Sequence, residues 1–182
     1  MSFAEYLAIE AESPIKHEFL QGQVWAMAGG SRRHGAIAAN LLRLLGNQLQ
    51  ARPCQAHSSD VRIRVLATGL ATYPDGSIIC GQAELDPADE RGESVTNPVV
   101  LIEVLSPSTA EYDEGEKLDH YKRIASLRHV LIAAQDERRI DVWTRGADGA
   151  WAVARQLGPG VVHLAALGAD LQLDDVYRDP LA

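Results

Sequence analysis

Long apolar runs and paired cysteine motifs are missing from this sequence. No apolar stretch approaches the roughly 20 residues that a membrane-spanning helix needs, so we expect no membrane association. The N-terminus MSFAEYLAIEAES lacks a charged and then apolar leader, which argues against export and favours a cytoplasmic location. The two cysteines, Cys54 and Cys80, form neither a CxxC pair nor a zinc-binding pattern. We therefore expect two free thiols in a reducing compartment.

An overall excess of basic residues is also absent, since the net charge is −8 at pH 7. This value argues against a protein whose whole surface binds nucleic acid, but the charges are unevenly distributed. Residues 1–64 contain seven Lys or Arg and five Asp or Glu, whereas residues 65–182 contain ten and twenty. The stretch from Ser31 to Arg52 has four arginines and no acid. It is typical either of a phosphate-facing strip or of a solvated helix face.

The apolar pattern predicts a single α/β domain of the α+β type over residues 1–182, with a mixed central sheet flanked by helices. The order of buried strand, helix and buried strand over 99–135 implies a right-handed crossover. The remaining predicted elements are a helix at 2–11, a hairpin around Gly22, a helix at 32–50, strands at 60–66 and 77–80, and a C-terminal β-hairpin extension.

Two further segments carry specific expectations. Strand 60–66 alternates strictly, which predicts a basic outer face that carries Arg62 and Arg64. Residues 81–98 contain two prolines, two glycines and five acids, and we predict a mobile acidic loop there.

Glu103 is the residue that first indicates a functional site. It interrupts the apolar strand Val99 to Leu105, where an ionised carboxylate is strongly disfavoured unless a partner or a cation balances it. A second acid, Asp75, follows Pro74 at the predicted start of a strand. Two carboxylates on neighbouring strands can hold Mg²⁺, which prefers oxygen ligands and keeps several waters.

A positive charge is expected beside these acids. Leu105 shares the strand face of Glu103 and supplies none. Lys117, in the helical segment 109–126, lies close to that segment's inward stripe and is the better candidate. The alternative is a surface ion pair between Asp113 and Lys117, worth a few tenths of a kcal/mol.

Several motifs together resemble one bacterial family. They are Glu18 before a glycine turn, His34 after Gly-Gly-Ser, Tyr-Pro-Asp at 73–75, PVVLIEVLSPST at 98–109, and the spacing of Asp113, Lys117 and Tyr121. Over residues 13–177 the chain is similar to the Uma family of restriction-endonuclease-like proteins, which belongs to the PD-(D/E)XK nuclease superfamily. Its most specific parts are the block around Glu103 and the Asp, Lys and Tyr spacing.

The resemblance implies a restriction-endonuclease-like core and a nuclease that uses Mg²⁺ or Mn²⁺ and forms a homodimer. It favours DNA over RNA as the substrate. Asp75 and Glu103 would be the metal ligands. Leu105 stands where the superfamily usually has its catalytic lysine, but related families place the lysine on the neighbouring helix, where Lys117 stands. Glu18 would be a further catalytic residue that completes the metal shell or orients a water. The resemblance also implies supporting or substrate-contacting roles, which would fall to His34, Tyr121 and Arg62.

Two other readings stay open at this point. The chain could be a binding or assembly module that keeps the fold without catalysis, a reading favoured by Leu105 and by the acidic composition. A serine hydrolase using Ser106 or Ser108 is disfavoured, since no Gly-x-Ser-x-Gly elbow is present and Ser-Pro-Ser fits a turn followed by a helix cap.

Overall fold

The computed structural model describes residues 1–27, 29–107 and 109–179, so Ser108 lies outside the described residues. The helices are α1 Phe3–Glu12, α2 Arg32–Leu49, α3 Ala110–Glu114, α4 Glu116–Tyr121 and α5 Leu173–Val176. The strands are β1 His17–Leu20, β2 Gln23–Ala26, β3 Cys54–Ser58, β4 Arg62–Val65, β5 Leu70–Thr72, β6 Gly76–Cys80, β7 Ser94–Val95, β8 Pro98–Leu105, β9 His129–Ala134, β10 Arg139–Arg145, β11 Trp151–Leu157, β12 Val161–Leu164 and β13 Ala169–Gln172.

A six-stranded sheet in the order β11-β10-β9-β8-β6-β3 forms the centre of the molecule. Strands β8 and β9 are parallel, as the predicted crossover requires, and the other neighbours are antiparallel. Strand β8 is buried on both faces because its residues alternate between two cores. Val100, Ile102 and Val104 belong to one core, whereas Leu101 and Leu105 belong to the other. The predicted mixed α+β fold is confirmed.

Helix α2 covers one face of this sheet. Ser31 begins the helix by accepting a hydrogen bond from the backbone N–H of His34, as its position before an apolar repeat predicts. Ile37, Leu41, Leu45 and Leu49 are buried along its inner stripe. The hairpin β12-β13 and helix α5 complete this layer.

A five-stranded sheet in the order β2-β1-β5-β4-β7 covers the opposite face, together with α4. The hairpin β1-β2 turns at Gln21 and Gly22, whose φ angles are both positive, and this conformation matches the right-handed twist of paired strands. Helix α1 packs on the outer face of that sheet, where Tyr6, Phe19 and Ala71 form a small separate core. The five-stranded sheet was not anticipated as a separate unit.

The basic outer face predicted for strand 60–66 is wrong for Arg62, which is buried. Arg62 Nη2 lies 2.8 Å from Asp89 Oδ2, and Arg64 Nε lies 3.1 Å from Asp86 Oδ2. Both acids belong to residues 81–98 and are themselves buried. Part of the segment predicted as a mobile loop therefore packs over β4 and contributes strand β7 to the sheet. The alternation in β4 correctly predicted that the two arginines share one face of the strand. It could not show that a distant segment of the chain covers this face.

The prediction of two free thiols is also wrong, since Cys54 and Cys80 form a disulfide. Antiparallel pairing of β3 with β6 places the two residues directly opposite each other. Their separation of 26 residues gave no hint of this pairing, because it depends on which strands become neighbours.

The helical segment expected over 109–126 is two short helices that meet at Gly115, and the second ends at Tyr121. In the second helix, α4, the side chains of Lys117, Leu118 and Tyr121 are buried. No helix in the described part of the chain is long and apolar enough to cross a membrane.

Candidate active site

Asp75 lies immediately before β6, at the end of the central sheet. Its Oδ2 accepts a hydrogen bond of 2.7 Å from the backbone N–H of Val104. Because Gly76 pairs with Ile102, this position is next to Glu103 on the neighbouring strand. The sequence predicted that Asp75 lies at the start of a strand. The structure adds that its carboxylate is hydrogen-bonded to the neighbouring strand β8.

Glu103 faces the core that contains Leu101 and Leu105, and it meets two side chains of α4 there. Tyr121 donates its hydroxyl hydrogen to Glu103 Oε1 at 2.5 Å. Lys117 Nζ lies 3.0 Å from the same oxygen. The carboxylate is thus paired rather than isolated, which accounts for its place inside an apolar strand.

Lys117 Nζ is also close to two other carboxylates, at 3.1 Å from Glu18 Oε1 and 3.4 Å from Asp113 Oδ1. The side chain of Lys117 is only 4% exposed, so the surface ion pair with Asp113 weighed above is not what forms. The pair exists, but it is buried and belongs to a cluster. Glu18 is held in this cluster by the hydroxyl of Thr72, which donates a 2.5 Å hydrogen bond to it.

The pKa values of Glu103 and Lys117 are both raised, for different reasons. Burial raises the pKa of Glu103 to about 8, with Lys117 opposing the rise and the charges of Asp113 and Asp75 adding to it. Burial alone would lower the pKa of Lys117, but Glu103 and the other surrounding acids outweigh it and raise that pKa well above its usual range. Lys117 is therefore an ammonium at neutral pH.

His34 approaches Asp75 from the first turn of α2. Its Nε2 lies 2.9 Å from Asp75 Oδ1, and this hydrogen bond raises the pKa of His34. The other ring nitrogen, Nδ1, is buried without a hydrogen-bond partner among the described residues. Ser31, at the start of the same helix, donates a hydrogen bond of 2.7 Å to Gln135 Oε1 at the end of β9.

The structure thus brings together most of the residues that the sequence singled out. Glu18, Glu103, Lys117 and Tyr121 form one cluster, and His34 and Asp75 form a pair beside it. Arg62 does not join them, because its guanidinium contacts Tyr73, Asp89 and Ser94 instead.

Two members of the cluster, Asp113 and Thr72, were not among the predicted site residues. Asp113 could have been predicted from the sequence, since it lies four residues before Lys117 and belongs to the spacing of Asp113, Lys117 and Tyr121 that resembles the family. The sequence carried no signal for Thr72, because its contact with Glu18 depends on the pairing of β1 with β5. Leu105, where the superfamily usually has its lysine, is buried in the same core as Leu118 and Tyr121.

Fold and site together define a nuclease-like α+β domain. The crystal structure of "a putative nuclease belonging to DUF820" from Anabaena variabilis ATCC 29413 matches with a TM-score of 0.74 over 94% of this chain and 96% of that chain. The two sequences are 17% identical, so this likeness shows the fold alone.

The family model described as "Uma2: Putative restriction endonuclease" matches residues 3–174, and the chain belongs to this family. Two uncharacterized proteins of Synechocystis sp. (strain ATCC 27184 / PCC 6803 / Kazusa) are similar along most of their length. The protein slr1290 is 34% identical over 98% of this chain and 92% of its own length. The protein sll1609 is 31% identical over 87% of this chain and 88% of its own.

Proposed function

We propose that this protein is a divalent-metal-dependent nuclease that hydrolyses phosphodiester bonds in DNA. The observation that carries the proposal is the position of Lys117, whose ammonium lies 3.0 Å from Glu103 although it comes from a helix rather than from β8. A lysine beside the second acid of the site is what the superfamily's chemistry needs, and α4 supplies it where β8 has Leu105. Membership of a restriction-endonuclease family supports the same reaction class.

The residues present fit a Mg²⁺ or Mn²⁺ ion held by Asp75 and Glu103. No group of three or more His, Cys, Asp or Glu side chains within residues 1–27, 29–107 and 109–179 forms a ready metal cage. Mg²⁺ does not require one, because it is commonly bound through one or two carboxylates, waters and substrate phosphates. Burial, together with the nearby charges of Asp113 and Asp75, raises the pKa of Glu103 to about 8, and a divalent cation beside this carboxyl would favour its ionised form.

A cation held by Asp75 and Glu103 would supply Lewis-acid stabilisation of the charge that builds up on a phosphoryl group. The chain's own residues would do the rest. Lys117 stays protonated, so it would not act as a base. Its fixed positive charge would instead stabilise the same phosphate. Tyr121 and the N–H of Val104 hold the carboxylates of Glu103 and Asp75 in place, and His34 orients Asp75 from the other side.

Plasmid DNA incubated with Mg²⁺ or Mn²⁺ tests the proposal. The wild-type protein should nick or cut it, and Asp75→Ala and Glu103→Ala should each lower the rate by at least about 10²-fold, as loss of an electrostatic stabiliser does. Asp119→Asn is the matched control, since this carboxylate lies on α4 but is exposed and pairs with Lys122. Purified protein without divalent-dependent cleavage of any nucleic acid would rule the activity out.

A binding or assembly module without catalysis is the second candidate, and one observation favours it. The ammonium of Lys117 already has three carboxylates within 3.4 Å, so its charge is compensated within the protein. In that case Mn²⁺ would not bind at Asp75 and Glu103, and DNA would show no affinity even at low ionic strength. Calorimetric titration with Mn²⁺ separates the two candidates without depending on cleavage.

A further inference from the structure

The hairpin β1-β2 places an exposed tryptophan beside the candidate site. Trp25 lies directly opposite Glu18 in the register of the two strands, and it is 45% exposed. Residues that face each other in antiparallel strands have Cβ atoms about 4.5–5.5 Å apart on the same face of the sheet. Since Glu18 reaches Lys117 on that face, the indole stands next to the acid and lysine cluster.

The other face of the hairpin confirms which way Trp25 points. Phe19 pairs with Val24, and both belong to the small core under α1 with Tyr6. Side chains alternate between faces along a strand. Trp25, one residue after Val24, is therefore directed away from α1 and toward the side of the sheet that carries the site.

Trp25 also differs from the protein's two other tryptophans. Lys122 Nζ lies 4.0 Å from the ring of Trp143, and the guanidinium of Arg145 lies 4.8 Å from that of Trp151. Within the described residues, no cation and no other aromatic ring contacts the ring of Trp25. An indole of this exposure, uncovered and adjacent to the site, is available to a ligand with an aromatic face.

We propose that Trp25 is a stacking platform for an unpaired base of a DNA strand bound across the site, so that the preferred substrate has single-stranded character. The inference rests on the proposed function and specifies its substrate. Bases stack on aromatic side chains whatever their sequence, whereas bases inside a duplex are stacked on each other and must first be unpaired.

The charge of the protein agrees with this mode of binding. With a net charge of −8, the protein gains little from general attraction to phosphates, which is the term that usually dominates affinity for duplex DNA. Stacking does not depend on that attraction.

The test is a binding measurement that is independent of cleavage. Fluorescence anisotropy would follow the binding of a labelled DNA strand of about 12 nucleotides, a length within the usual range for single-strand sites. The strand would be used alone and annealed to its complement, and each form would be measured in EDTA and with Ca²⁺. Wild type should bind the single strand more tightly than the duplex. Trp25→Ala should weaken single-strand binding by about 10- to 100-fold, Trp25→Phe should retain most of it, and the control Trp151→Ala should retain all of it.

The outcomes distinguish this inference from the proposed function. If Trp25→Ala binds the single strand as wild type does, or if wild type prefers the duplex, stacking by Trp25 is overturned even when plasmid cleavage is intact. If the loss at Trp25→Ala is seen but no metal supports cleavage, hydrolysis is overturned and the stacking platform stands. Circular dichroism spectra of both alanine variants should match wild type, because neither side chain is fully buried.

Discussion

Lys117 joins three carboxylates that lie far apart in the sequence. Its ammonium is within 3.4 Å of Glu18, Glu103 and Asp113, and all four side chains are nearly inaccessible to solvent. In such a cluster, removal of one partner leaves the others buried without compensation, which is far more costly than loss of an exposed ion pair. The lysine is thus a structural element of the site as well as a candidate for the chemistry.

Lys117→Met should lower the free energy of unfolding by about 3–5 kcal/mol, because three carboxylates lose their counter-charge. Urea denaturation measures this change. Lys16→Met is the matched control, since its ion-pair partner Asp60 is 79% exposed and such a pair should contribute at most about 1 kcal/mol. Adding Asp113→Asn to Lys117→Met should restore part of the loss, because it removes one of the acids that Lys117 contacts, and equal stability of the single and double variants would contradict this account of the cluster.

At the scale of single elements, the junction of α3 and α4 decides where Lys117 points. Gly115 ends the first helix and begins the second. A Cβ atom at this position would lie 2.8 Å from the backbone oxygen of Glu111, which is too close for any real contact. The junction therefore depends on the absence of a side chain at Gly115, two residues before the lysine.

Gly115→Ala should force a shift of α4 and lower DNA cleavage by about 10²-fold, the cost of a misplacement near 1 Å at a reacting centre. Gly46→Ala controls for the substitution itself. Its Cβ would meet Ala56 at an ordinary 3.9 Å inside α2, so stability should stay equal or rise by up to about 1 kcal/mol. Plasmid cleavage and thermal unfolding check both, and a Gly115→Ala protein as active as wild type would show that the junction does not position Lys117.

At the scale of the whole molecule, His129 gives the stability a defined pH dependence. The residue is buried between β9 and the hairpin β12-β13, where its Nε2 accepts a hydrogen bond from the N–H of Ala166 and its Nδ1 lies 3.0 Å from Thr144 Oγ1. These partners assign the neutral ring with the proton on Nδ1. Burial lowers the pKa of His129, so below about pH 6.5 the unfolded chain binds a proton that the folded chain does not.

His129 should therefore contribute a loss of stability on acidification below about pH 6.5, of at most about 1.4 kcal/mol per pH unit. The raised pKa values of Glu103 and His34 act in the opposite direction, so the contribution of His129 is measured as the difference between wild type and a variant. His129→Gln should be less stable at neutral pH but should lose less on acidification. His163→Gln, which removes an exposed histidine from β12, is the control. Denaturation midpoints measured across this pH range test the difference, and parallel pH profiles of wild type and His129→Gln would refute the assignment.

Much of the fold was readable from the sequence because its signals are local. Apolar periodicity, the cap at Ser31 and the turn at Gly22 predicted α2, the first hairpin and the parallel pair β8-β9. The same logic found Glu103 as a lone acid in an apolar strand, and helical geometry placed Lys117 toward the interior.

What the sequence could not show depends on which elements become neighbours. The disulfide of Cys54 with Cys80, the covering of Arg62 by Asp89, and the contact of Thr72 with Glu18 all join residues from different segments of the chain. No periodicity within one segment contains that information. The family resemblance supplied part of it, since it grouped Glu18 with the acids of the site before any pairing of strands was visible.

The measurement that tests the central claim most directly is anomalous diffraction from a crystal soaked in Mn²⁺. If Asp75 and Glu103 form the metal site of a nuclease, a peak should lie between their carboxylates in the wild type and vanish in Asp75→Ala. A well-ordered wild-type crystal with no peak at these carboxylates would contradict the account and favour a binding module that keeps the nuclease fold.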